Sequence, residues 1–124
     1  MSFEIKTKDL KSVLKESDFI TAHVPKNKEK AIIGKKEIGI MKKGVGIINT
    51  ARGGVIDESA LIESIQTGQV SAAGLDVFEQ EPQPSINLLM NEKISLSPHI
   101  GGSTIEAQDR IGAELAEKII NFYK

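Results

Sequence analysis

Four short apolar runs separated by stretches of helical periodicity constrain this chain more than anything else in it. They are Phe19-Ile20-Thr21-Ala22-His23-Val24, Val45-Gly46-Ile47-Ile48-Asn49, residues 70–77, and Ile94-Ser95-Leu96-Ser97. Pro25 stops the first and Pro98 the last, as breakers stop strands. The second is apolar nearly throughout, the pattern of a strand buried on both faces. The third, Val70-Ser71-Ala72-Ala73-Gly74-Leu75-Asp76-Val77, has small side chains suited to close helix packing.

Between the runs, residues 7–17 place Leu10, Val13 and Leu14 at helical spacing. Asn27 to Lys30 reads as a solvated turn. Residues 35–42 read as a short helix weakened by Gly39 and ended by Gly44. Asp57 is a good N-cap for a helix over 58–67, which presents Leu61, Ile62 and Ile65 and stops at Gly68. The stretch 79–87 carries two prolines and reads as a loop. Ser103-Thr104-Ile105-Glu106 has the form of a capping box, opening a long helix to about Asn121 with Ile105, Ile111, Leu115, Ile119 and Phe122 as its stripe. Strands alternating with helices predict an α/β fold, a parallel sheet of about four strands with helices on both faces.

With 124 residues the chain is expected to form one domain. Its net charge of -1, with no long run of one sign, points away from nucleic acid or a membrane surface as partner. Cysteine is absent, which excludes disulfides and thiolate chemistry. Neither histidine has a partner at ligand spacing, so no metal site is expected. No 18-residue apolar run or signal-peptide core is present, and a cytoplasmic location is the expectation.

In parallel sheets ligands sit beyond the carboxyl ends of the strands. Arg52, Asp76, Glu81 and His99 all fall just past such an end. Arg52, one of only two arginines, offers a planar fork for a carboxylate beside Gly53 and Gly54. Its bland alternative is an ion pair with a nearby acid. His99, between Pro98 and Gly101-Gly102, titrates near neutrality and can carry a proton. The competing reading is a loop histidine bonded to a backbone carbonyl. Glu81 could hold the imidazole's orientation and favour its acid form, but Glu79 is an equal rival on spacing. Asp76 ends a strand and needs partners, either a ligand amide or backbone N–H groups. His23 and Arg110 read as structural and surface residues. The only G-x-G is Gly44-Val45-Gly46, which precedes a strand and lacks the third glycine of a dinucleotide fingerprint.

Taken with their order, four blocks resemble the D-2-hydroxyacid dehydrogenase family. They are Ser17 to Pro25, Ile48 to Glu58, Gly74 to Phe78 with Glu81-Pro82, and Ser97 to Gln108. The run Gly101-Gly102-Ser103-Thr104-Ile105-Glu106-Ala107-Gln108 favours the D-3-phosphoglycerate dehydrogenase branch. The resemblance covers residues 7 to the end and implies the second half of a Rossmann-like NAD-binding domain. It implies Arg52, Glu81 and His99 as catalytic, with Arg52 on the substrate carboxylate, His99 as acid/base and Glu81 rather than Glu79 as its partner. Val24, Thr50, Asp76 and the segment His99, Ile100, Gly101 and Gly102 would contact NAD.

The glycine fingerprint and substrate domain of that family have no counterpart here. The expectation is therefore a partial domain over 1–124, inactive alone and weak in NAD binding. The substrate of the full enzyme would be a small 2-hydroxy or 2-keto acid. A bare apolar edge on the strand Phe19 to Val24 predicts a homo-oligomer through that edge or the terminal helix. The alternative is a non-catalytic dimerising or regulatory module of the same ancestry, similar to the family's corepressor branch.

Overall fold

The computed structural model describes residues 5–124. Along the chain run α1 (Leu10–Glu16), β1 (Phe19–Ala22), α2 (Lys35–Gly39), β2 (Val45–Asn49), α3 (Glu58–Gln66), β3 (Val70–Leu75), α4 (Ile86–Leu89), β4 (Ile94–Leu96) and α5 (Ile105–Phe122). The strands form one parallel sheet in the order β1-β2-β3-β4. This is the expected α/β class.

Caps set the helix boundaries. Asp9 accepts the Ser12 N–H at 3.1 Å, so α1 starts at Leu10 rather than residue 7. Asp57 accepts the Ala60 N–H at 2.8 Å and opens α3, and Gly68 follows its end at φ 74. The α5 cap is Thr104, whose hydroxyl accepts from Ala107 at 3.2 Å. That moves the N3 position to Ala107, so Glu106 has no place in a capping box starting at Ser103. The four-residue helix α4 lies partly within the expected loop, because Ser85 begins a turn just past Pro84.

Sheet register explains the core. Ile20, Ile47, Ala73 and Ile94 are cross-strand neighbours, and all four are buried. They pack with Leu14, Ile38, Leu61, Ile65 and Leu88 from the helices. Burying one such Leu or Ile stabilises the fold by roughly 1.5–3 kcal/mol.

Coverage of the sheet differs from the expected two-sided one. Each crossover advances the sheet by one strand in the same direction, and right-handed crossovers of that kind lay their helices on one face. Accordingly α1 touches α2 and α2 touches α3. On the opposite face Phe19, Thr21, Ile48, Ser71, Ala72 and Ser95 are exposed. The Phe19 ring lies over Gly46 there, where an added Cβ would fall 2.6 Å from the ring. No residue of α5 is buried, and its apolar stripe stands in solvent.

Candidate active site

Beyond the end of β2 the chain is shaped by Asn49, a buried polar residue only 2% exposed. Its side-chain oxygen accepts from the Ala51 N–H at 3.1 Å, and its amide donates to the Arg52 carbonyl at 3.1 Å. A buried amide with both ends satisfied fixes a loop without leaving a polar group stranded. Gly53 then passes so close to the neighbouring loop that an added Cβ would lie 1.6 Å from the Phe78 carbonyl oxygen. Gly54 turns the chain at φ 79, a region glycine enters without strain.

This loop presents Arg52 to solvent. Its Nη1 donates to the Ala51 carbonyl at 2.6 Å, and the guanidinium joins none of the ion pairs among the described residues. The ion-pair alternative for Arg52 therefore has no support. Val24, Thr50 and Arg52 line one groove with His23, Pro25, Lys26 and Ala51.

Across the sheet, His99 follows β4 with φ 53, an uncommon conformation for a residue with a Cβ. Asp76 holds it there, one carboxylate oxygen accepting from the His99 N–H at 3.1 Å and from the Ser97 hydroxyl at 2.6 Å. The His99 ring Nδ1 lies 2.9 Å from Glu81 Oε2, and Glu81 Oε1 accepts the Phe78 N–H at 3.0 Å. The His99 hydrogen bond first, then the Phe78 N–H, hold the Glu81 carboxyl below its ordinary value. An ionised Glu81 fixes Nδ1 as donor, leaving Nε2 as the ring nitrogen available for proton exchange.

Glu79, the rival on spacing, points elsewhere. Its carboxylate accepts the Glu58 N–H at 3.2 Å, and its own N–H donates to Glu58 at 2.6 Å. The pair locks the loop to the start of α3. Burial and the nearby Glu79 and Asp57 charges raise the Glu58 carboxyl, against the lowering effect of the bond from Glu79 N–H.

The structure thus brings His99, Glu81 and Asp76 together, with Arg52 two strands away at the same edge. Asp76 takes its partners from the backbone and Ser97, one of the alternatives open on sequence. Ile100 is exposed, and a Cβ on Gly101 or Gly102 would meet nothing within 4 Å. Internal packing does not demand glycine at either position. His23 bonds Thr21 Oγ1 at 2.9 Å, in keeping with a structural role, and Arg110 is exposed on α5.

Asn49, Ser97 and Lys26 escape a reading by residue type. Asn49 alone left a signal, a polar residue closing an otherwise apolar strand. Among the described residues no cluster of three or more His, Cys, Asp or Glu is placed to hold a metal, and no helix is long and apolar enough to cross a membrane.

Comparison with known proteins gives this geometry a setting. The family described as "D-isomer specific 2-hydroxyacid dehydrogenase, NAD binding domain" matches residues 2–101. A hydroxypyruvate reductase of Thermotoga maritima is 53% identical over 115 residues, covering 90% of this chain and 38% of that protein. A D-3-phosphoglycerate dehydrogenase of Archaeoglobus fulgidus is 47% identical over 122 residues, covering 97% of this chain and 23% of that protein. In three dimensions, the crystal structure of a glyoxylate reductase from Paecilomyes thermophila superposes with a TM-score of 0.80 at 42% identity, covering 86% of this chain and 33% of that one. The chain therefore spans well under half the length of these relatives.

Proposed function

The chain belongs to the D-isomer specific 2-hydroxyacid dehydrogenase family, within its NAD-binding domain, and from that premise we propose that it carries the proton-transfer and carboxylate-binding groups of a 2-hydroxyacid dehydrogenase. The observation that carries this reading is the 2.9 Å contact between His99 Nδ1 and Glu81, together with an Arg52 that has no ion-pair partner among the described residues. A fork without an internal acid suits an external carboxylate.

Arg52 binds the substrate carboxylate and polarises the adjacent 2-keto oxygen. His99 Nε2 gives a proton to that oxygen during reduction and takes it back during oxidation. Glu81 keeps the ring oriented and stabilises its charged form. Val24, Thr50, Asp76 and the segment His99 to Gly102 hold NAD, and the open space at Gly101 and Gly102 fits a ligand approaching the backbone there. The chemistry that NAD supplies when bound is hydride exchange at substrate C2.

No glycine fingerprint lies within these 124 residues, so the partial domain over 1–124 by itself binds NAD at millimolar strength or less and does not turn over. The test is calorimetry with NAD on the chain, followed by addition of the complementary part of a relative. Micromolar binding by the chain alone contradicts weak anchoring. Restored turnover that disappears in His99→Asn supports the assigned role, and turnover that survives that change removes it. The reading includes self-association through the β1 edge or α5, since β1 is an outer strand of the sheet and α5 buries nothing. A clean monomer in light scattering at high concentration would remove that part.

A further inference from the structure

Lys26 occupies a defined place beside Arg52. A Cβ on Gly54 would fall 2.8 Å from Lys26 Cε and 3.0 Å from its Nζ. Hence the bare turn that follows Arg52 is also what lets the lysine lie across it. Lys26 and Arg52 line the same groove with His23, Val24, Pro25, Thr50 and Ala51, and none of these seven carries a carboxylate. Lys26 and Gly54 also line a second recess, where carboxylates stand from Glu29, Asp57 and Glu79. Asp57 caps α3 and Glu79 is bonded to the Glu58 N–H. Lys26 joins no ion pair with any of them among the described residues.

Lys26 and Arg52 both line a groove whose lining residues include no acid, and the two cations differ in what they hold. The arginine fork matches a planar carboxylate, whereas an ammonium is a compact point charge that serves a phosphate or second carboxylate equally well. We propose that Lys26, seated on Gly54, is a second anion-binding residue of the Arg52 groove and takes a phosphate or carboxylate group beside the carboxylate that Arg52 holds. This rests on the assignment of Arg52 to the substrate carboxylate. The second anion has two sources, the small acid itself or the diphosphate of the dinucleotide.

The test is a titration of the 124-residue chain followed through backbone amide NMR signals. The probes are phosphoglycolate, glycolate and NAD, applied to the native sequence, Lys26→Met and Lys26→Arg. Lys26→Met keeps the aliphatic stem over Gly54 and removes only the charge. The expected result is that it weakens phosphoglycolate binding about fivefold, the scale of a solvent-exposed charge pair, while glycolate is unaffected and Lys26→Arg restores binding. The loss shrinks as salt is raised.

A loss confined to NAD also supports the lysine site and assigns its anion to the diphosphate. Equal affinities of the native chain and Lys26→Met for both phosphorylated probes overturn the proposal. So does the absence of any shift at residues 51–54 with phosphoglycolate at its highest soluble concentration. Glycolate binding that survives Arg52→Met sinks the carboxylate assignment of Arg52 instead, a result separable from the lysine's.

Discussion

The loop after β2 is shaped by its backbone and one buried amide, whereas the turn after β4 is shaped by two carboxylates that solvent reaches. In the first, Asn49 and the glycine pair set the path, and the Arg52 side chain is left without an ion-pair partner among the described residues. In the second, Asp76 fixes the backbone and Glu81 fixes the ring, so the His99 side chain is itself a member of the network. The difference suits the roles proposed for the two residues. A group that binds an external anion must keep its donors free, and a group that exchanges protons needs one nitrogen committed so that the other is available.

Substitutions test this contrast in descending order of expected effect. Gly53→Ala should cost about 3 kcal/mol or more, because its Cβ would collide with backbone rather than a yielding side chain. Urea unfolding of the variant measures it, and a near-native midpoint would show that the close approach relaxes. Asn49→Ala should cost about 2 kcal/mol by stranding the Ala51 N–H and Arg52 carbonyl. Asp76→Ala releases only groups with access to water and should cost about 1 kcal/mol. If Asp76→Ala proved more damaging than Asn49→Ala, the assignment of rigidity to the β2 loop would be reversed.

Glu81→Gln should leave the urea midpoint nearly unchanged, yet shift the His99 ring and Phe78 amide resonances. Unmoved ring signals would mean that Glu81 does not orient the imidazole. Titration sharpens the same point. Glu81 should show a midpoint below the ordinary 4.5, since its charged form accepts from His99 and Phe78. A depressed folded value stabilises the fold above the unfolded chain's value and loses that contribution as pH falls through the depressed one. Glu58, raised from 4.5 by burial, runs the other way. Its contribution is present below the unfolded value and fades as pH rises through the raised one. Carbon-detected side-chain NMR on both residues checks the two directions, and a common shift would contradict them.

Much of this was readable from the chain alone. The strand of residues 45–49 is legible to the residue, because a nearly apolar run between Gly44 and the Thr50 loop admits little else. Asp57 and Gly68 marked α3 for the same local reason. Helix α4 was not legible, since four residues behind two prolines carry no periodicity. The one-sided sheet escaped as well, for it depends on strand order, which local pattern does not encode. Spacing could not separate Glu79 from Glu81, two residues apart in one loop. What separates them is the start of α3, distant in sequence and adjacent in space. That Asp76 needs partners follows from its place at a strand end, whereas their identity requires the β4 turn to fold back.

One residue belongs to both loops. The Phe78 carbonyl oxygen is the atom against which Gly53 presses, and the Phe78 N–H is the group that Glu81 holds. A single peptide segment is thus shared by the arginine loop and the histidine turn. A substitution at Gly53 should therefore also be read at the Phe78 amide and the Glu81 carboxylate, by their NMR shifts, although no side chain spans the two loops.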